Sequence, residues 1–359
     1  MNFRRSLLLA EESITAAGTK TIEIKNREPI SRITFAWRTT KSKDGNDAAP
    51  CQDITKIELV DGSDVLHSLD GGSNQALAIF SRRVPTMNHG QQILGNSSYS
   101  TYAIDFGRKL WDRQLAFDPL RFRNPQLKIS HNLAVSDTGV TAAYLEVWGD
   151  LFDEGAIAPQ GFLSAKEQYK YTTGAAASHE YIDLPTDRLI RQILLRGYYK
   201  GYEPWYSLIE AKLDVNNDSK VLFDMDLEDW TRMCKGIDLM VQETIQAYVY
   251  SSETTFYCTP TDYYATMLGI GTAADKVVAQ TTYGRGGKFV MDAETTEMVN
   301  GLVFGWCPNS CFRIPFGDIM ELDDALNPSE ARSLRLRLKA GTAGTSGGGQ
   351  VITEQIRPY

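Results

Sequence analysis

The feature that most constrains the fold of this 359-residue chain is an ordered set of short segments that occurs twice. Self-similarity at long period means one folding unit built two times. An Arg-bounded apolar segment, Arg32-Ile33-Thr34-Phe35-Ala36-Trp37-Arg38, has a counterpart in Arg191-Gln192-Ile193-Leu194-Leu195-Arg196. A valine, a polar turn and a Val-Leu strand follow in both, as Val60 to Leu66 and as Val215 to Leu222. Each copy then enters a short helical pattern, with Ser73 as the predicted cap over Leu77 and Phe80, and Asp226 over Trp230 and Met233. The copies close alike: Ile104-Asp105-Phe106-Gly107 matches Ile314-Pro315-Phe316-Gly317, and Phe117-Asp118-Pro119 matches Leu326-Asn327-Pro328. Leu127-Lys128-Ile129 then parallels Leu336-Arg337-Leu338, and the final strands are Val140 to Trp148 and Val351 to Ile356.

Within each copy the dominant pattern is period-two alternation, which sends every second side chain to one face of a half-buried strand. Ile33, Phe35 and Trp37 alternate with Thr34, Ala36 and Arg38, and Leu334, Leu336 and Leu338 alternate with Arg335, Arg337 and Lys339. Turn chemistry punctuates these runs at Asp61-Gly62, Asn216-Asn217 and Asp137-Thr138-Gly139. A β-rich unit of this size must manage its sheet edges, and a sandwich of eight strands does so by double Greek keys. The expected fold is therefore all-β with short helices: two tandem eight-stranded jelly-roll sandwiches. Immunoglobulin-like sandwiches are the alternative, but the Cys…Trp…Cys spacing they would show is missing. The expected organisation is an N-terminal arm (1–19), a first jelly roll (20–152), a linker (153–180) and a second jelly roll (181–359). The second carries a tyrosine- and glycine-rich insertion at about 235–300, suited to loops projecting from a barrel end.

The segment Ile54-Thr55-Lys56-Ile57-Glu58-Leu59-Val60-Asp61-Gly62-Ser63-Asp64-Val65-Leu66, inside a duplicated β unit, resembles the double jelly-roll major capsid proteins of tailless icosahedral viruses, the adenovirus-like lineage, particularly membrane-containing bacteriophages. The resemblance covers most of the chain and rests on architecture and this segment. It implies a structural protein of the virion, made in the host cytoplasm, whose barrels stand upright in a pseudo-hexameric homotrimer that tiles an icosahedral capsid. The implied partners are the chain itself, neighbouring capsomers, penton or minor capsid proteins and an internal membrane. The insertion would be an exposed tower loop carrying Tyr263, Tyr264 and Arg285. It implies no catalytic residue and no cofactor. A trimer of a tandem repeat approximates six-fold symmetry while keeping three-fold identity, so one gene product can tile hexagonal positions by self-assembly.

Charge agrees with this picture. Lys and Arg number 37 against 45 Asp and Glu, a net of −8, with no basic tract, which argues against direct genome binding. Arg4 and Arg5, on the expected flexible arm, could touch anionic lipid headgroups. The apolar run Leu7 to Ala10 is shorter than the roughly 7 to 15 residues of a signal peptide, so the five cysteines are expected to be free thiols.

Catalytic and metal chemistry finds little support. The histidines, His67, His89, His131 and His179, are scattered, with no His-x-His pair for a cupin-type metal site. Cys307 and Cys311 lack the second ligand pair of a zinc site. The Asp214 to Asp218 run begins like a calcium loop but continues with Ser219 and Met225 in place of glycine and glutamate. Gly269-Ile270-Gly271-Thr272-Ala273-Ala274 has a dinucleotide-like spacing without the required helix and downstream acid. Asp224 with Asp226, and Asp323 with Asp324, are expected in caps and turns rather than as a glycosidase pair. The loop Tyr283 to Phe289 mixes glycine, basic and aromatic residues as single-strand binders do, and is expected to be an exposed hairpin or subunit contact. The competing functional reading is a carbohydrate- or receptor-binding β-sandwich of a phage or bacterium, with the insertion tyrosines stacking on sugar rings.

Overall fold

The computed structural model describes residues 3–82, 88–153, 157–250, 253–262, 266–271, 278–280, 286–292 and 296–359. The first half contains β1 (Phe3–Ile14), β2 (Gly18–Glu23), β3 (Ile30–Thr40), β4 (Ile54–Asp61), β5 (Asp64–Leu69), α1 (Gly71–Arg82), β6 (Asn88–Gln92), β7 (Ser97–Asp105), β8 (Pro125–His131) and β9 (Ala143–Phe152). The second contains β10 (Gly161–Thr172), β11 (His179–Asp183), β12 (Ile190–Tyr198), β13 (Leu208–Val215), β14 (Lys220–Asp226), α2 (Leu227–Cys234), β15 (Val241–Val249), β16 (Thr254–Tyr257), β17 (Thr266–Gly271), β18 (Val278–Gln280) and β19 (Lys288–Asp292). It ends with β20 (Glu297–Gly305), β21 (Cys311–Pro315), β22 (Leu334–Ala340) and β23 (Gly348–Pro358).

Each half is a jelly roll with the same strand connectivity. In the first, one sheet runs β1-β9-β3-β7 and the other β2-β8-β4-β5; in the second, the corresponding orders are β10-β23-β12-β21 and β11-β22-β13-β14. The duplication extends to irregularities. The β3–β9 pairing shifts register between Ile30 and Arg32, and the β12–β23 pairing shifts between Ile190 and Gln192. Likewise β4–β8 shifts between Ile54 and Lys56, and β13–β22 between Leu208 and Glu210. Isolated bridges join Ile30 to Phe117 and Ile190 to Leu326, and Phe117 and Leu326 are counterparts already matched in the sequence. A shared bulge re-aims side chains at the same place in each barrel, so it is part of the repeated design.

The alternating residues fill two separate cores. Ile33, Phe35, Trp37, Ile57, Leu59, Leu127 and Ile129 lie in the first; Ile193, Leu195, Ala211, Leu213, Leu334, Leu336 and Leu338 lie in the second. At about 25 cal/mol per Å2 of apolar surface, such burial supplies most of each barrel's stabilisation. The register also corrects the sequence alignment. Ile33 faces Ile104 and Ile193 faces Ile314, so Ile33 and Ile193 are equivalent, Gln192 stands where Arg32 does, and the bounding arginines are not counterparts.

Three expectations about organisation change. Residues 3–14 are not a free arm: β1 is the edge strand paired along β9, with Leu8 and Leu9 against the first core and Phe3 stacked on Trp111 at 4.3 Å. The stretch 153–180 is not only a linker, because β10 is the opening strand of the second barrel, pairs antiparallel with β23 and buries Phe162, Leu163 and Ala165. The small-residue run Gly174 to Ala177 is the turn after it, with Ala177 at φ 64°. The insertion also builds sheet: β15 lies parallel to β6 and β20 pairs with β15, extending the first barrel's sheet. One local expectation changes as well: α1 is capped by Asp70, whose carboxylate accepts from Ser73 N at 2.8 Å, rather than by Ser73. The Asp226 cap forms as expected, accepting from Glu228 N at 2.8 Å.

The insertion sits over one end of the first barrel. Asn46, in the loop after β3, donates from its backbone to Thr255 O and from its side chain to Tyr257 O. The chain ends lie at the opposite end, where β3 begins: Phe3 is opposite Phe152, Ile30 is opposite Leu151, and the Tyr359 hydroxyl donates to Ala116 O at 2.6 Å.

Candidate assembly unit and its surfaces

The two barrels are joined by α1, held between them by arginines of β12. At the start of α1, Arg196 Nη1 lies 2.6 Å from Asp70 Oδ2, the carboxylate that caps the helix, and Gln350 Nε2 donates to the same oxygen at 2.8 Å. Arg196 Nε donates to Asn309 O at 3.0 Å, and Asn309 Nδ2 reaches back to Gly72 O at 3.3 Å. At the other end of α1, Arg191 Nε donates to Glu354 Oε2 at 2.7 Å while its Nη2 donates to Ser81 Oγ at 2.9 Å. Between these clamps Leu69, Ala76, Leu77 and Phe80 pack on Ala165, Leu194, Cys311 and Ile352. The barrels also share a sheet, through a parallel bridge between Ser68 of β5 and Lys166 of β10.

Electrostatics explains why Asp70 is ionised inside the protein. Burial pushes the Asp70 carboxyl upward, but Arg196, the Ser73 N–H and Gln350 outweigh it and hold Asp70 below its ordinary value. Removing one member would leave the other charge buried and unpaired, so the network locks one relative placement of the barrels. Sequence reading singled out Arg191 and Arg196 as the ends of a strand and missed this role. Their partners lie 163 and 126 residues away, and no local signal announces them.

The proposed surface residues fall into two groups. Arg4 is paired with Asp153 at 2.8 Å and Glu28 at 3.0 Å, and Arg5 with Asp150 at 2.9 Å, on strand β1. Tyr263, Tyr264 and Arg285 lie outside the described residues. An exposed apolar stretch not foreseen from sequence runs from the last turn of α2 to the root of the insertion: Met233, expected from its spacing to be buried beside Trp230 but exposed, then Ile237 and Leu239.

The other chemical candidates take structural places. His67 is buried and pushed down to about 3 by burial, which keeps it neutral. All five cysteines are free and buried. Asp214 accepts from Asp218 N at 2.9 Å within a turn whose Asn216, Asn217 and Asp218 have positive φ. Residues 269–271 belong to β17, so the glycine spacing there is that of a strand. Asp324 accepts from Asp318 N at 2.8 Å. Among the described residues no group of three or more His, Cys, Asp and Glu side chains is placed to hold a metal ion, and no helix is long and apolar enough to cross a membrane.

These two barrels, repeated in connectivity and clamped side by side, define a double jelly roll. No protein-family model and no curated protein matches the sequence. Among solved structures, the chain is similar to the major capsid protein of STIV, Sulfolobus Turreted Icosahedral Virus, with a TM-score of 0.63 at 10% identity, covering 99% of this chain and 97% of that one. It is also similar to the major capsid protein of bacteriophage PM2 (TM-score 0.56, 8% identity, 99% and 98% covered) and to the PBCV-1 virus capsid (TM-score 0.58, 10% identity, 99% and 94% covered). The fold is thus shared end to end while the sequences are almost wholly different.

Proposed function

We propose that this chain is a viral major capsid protein that associates as a pseudo-hexameric homotrimer and tiles an icosahedral shell. The observation that carries the reading is the clamped duplication: two barrels of identical connectivity held as one unit by Arg191, Arg196 and α1. A lone barrel would serve as a binding module. Two barrels fixed side by side present six similar corners when three chains meet, and a hexagonal lattice needs that.

In this reading the insertion end faces outward and the end with both chain termini faces inward. Met233, Ile237 and Leu239, exposed at the insertion root, supply apolar area for the contact between chains. Arg4 and Arg5 have carboxylate partners within the chain, so an internal membrane, if the shell encloses one, is not assigned to them. Penton and minor proteins would complete the shell.

Light scattering coupled to gel filtration tests the assembly step. A particle of three times the 40.1 kDa chain mass, hexagonal in outline by negative stain, is the expected result. A monomer at micromolar concentration would refute it. The sugar-binding reading names the tyrosines of the insertion, of which Tyr263 and Tyr264 lie outside the described residues.

A further inference from the structure

At the end carrying the chain termini, a cleft of about 540 Å3 opens between the barrels. Its wall holds four cationic side chains, Arg32, Arg82, Arg108 and Lys109, and one carboxylate, Asp318. Arg32 and Arg82 come from β3 and the end of α1 and share a single carboxylate: Arg32 Nε is 2.5 Å from Asp105 Oδ1, and Arg82 Nε is 2.7 Å from Asp105 Oδ2. One negative charge thus stands between two guanidiniums, each committed to it only through Nε. Arg82 Nη2 is buried and has no hydrogen-bond partner among the described residues. Lys109 is exposed and forms no ion pair among the described residues.

The cleft is held in shape. Arg108 is fully engaged, with Nε donating to Asp112 at 2.7 Å and Nη1 donating to Met320 O of the second barrel at 3.0 Å. The fold-back that places it needs Gly107, where a Cβ would come within 2.6 Å of Asp112 Cβ and 2.7 Å of Leu115 O. The arrangement belongs to one copy of the repeat only: the register puts Gln192 opposite Pro315 where the first barrel has Arg32 opposite Asp105. The equivalent place in the second barrel holds neutral groups.

Leaving Arg108 with Asp112, the open cleft has three positive groups against Asp105 and Asp318. Guanidinium N–H donors not committed to Asp105 and the exposed Lys109 ammonium suit a tetrahedral oxyanion, which accepts several charge-assisted hydrogen bonds at once. We propose that this cleft binds a phosphate-bearing anion, either the headgroup of an anionic lipid or a free phosphate. The inference does not depend on the capsid reading, since it concerns the isolated chain.

The test is titration calorimetry of the full-length protein with inorganic phosphate, with chloride holding ionic strength constant. The expected result is one phosphate per chain, weakened about tenfold or more by Arg82→Gln combined with Lys109→Gln, the loss of two charge-assisted contacts. Arg335→Gln, which removes an exposed pair with Asp183 elsewhere, should bind as the unaltered protein does. Because Arg82→Gln removes a partner of Asp105, Lys109→Gln alone, at an exposed site, is measured beside it and should also weaken binding. Flotation with phosphatidylcholine vesicles, with and without phosphatidic acid, separates the sources. Capture by the acidic vesicles that the variants lose points to lipid; phosphate binding without capture points to the free anion. No phosphate binding above chloride, or equal binding by the variants, overturns the proposal.

Discussion

Glu243, on β15 at the root of the insertion, offers a quantitative test of how the insertion is joined to the body. It is 2% exposed, and its carboxylate accepts from Thr259 N at 2.6 Å with no cationic partner among the described residues. Burial pushes its pKa from 4.5 up to about 7, only partly offset by the hydrogen bonds from Thr259. The folded state therefore holds a proton that the unfolded chain releases between these two values. Stability from this group is fully present below about pH 4.5, falls as pH rises towards 7, and is flat above. The difference corresponds to about 3 kcal/mol at pH 8. Glu243→Gln keeps an acceptor for Thr259 N and removes the charge. The variant should melt higher than the parent at pH 8, by roughly 4 °C for a chain of this length at typical unfolding entropies, with the gap nearly closed at pH 4.5. Differential scanning calorimetry of both proteins at both pH values measures this. Asp53, also pushed up to about 7 by burial, titrates in both proteins and cancels in the difference. A gap independent of pH, or one that widens in acid, would refute the assignment.

Arg196→Met should destabilise by about 3 to 5 kcal/mol by stranding Asp70, and adding Asp70→Asn should recover part of the loss; chemical denaturation of the single and double variants checks this. Equivalent cavity substitutions, Phe35→Ala in the first barrel and Leu195→Ala in the second, should cost about 3–5 and 2–5 kcal/mol respectively, read as lowered melting temperatures. Replacing Met233, Ile237 and Leu239 together by serine should leave the melting temperature of the chain nearly unchanged, because these side chains are exposed, while shifting the scattering mass from the proposed trimer towards monomer. A trimer unaffected by that replacement would move the contact to another face.

Much of the architecture is legible locally because its causes are local. Alternation places Ile33, Phe35 and Trp37 on one face whatever surrounds them, and the strand positions of both copies follow. The Asp226 cap is written in the residues beside the helix it starts. The failures have equally physical origins. Composition around Gly155 to Ala177 is that of a linker, yet β10 is required there, since the second barrel has no other opening strand to complete its sheet. Residues 3–14 carry no strong alternation, and only the exposed edge of β9 makes them a strand.

What the sequence determines by itself is that one unit is built twice and that each copy is a sandwich, because repeat order and two-residue periodicity are properties of neighbours along the chain. What only tertiary structure decides is how the copies are joined and where their charges meet. Arg32 and Arg191 look alike as strand boundaries, but a one-residue difference in register aims the first at Asp105 and the second at Glu354 and Ser81. A strand reverses its facing with every residue, so such a shift turns a part-buried ion pair within one barrel into an inter-barrel clamp.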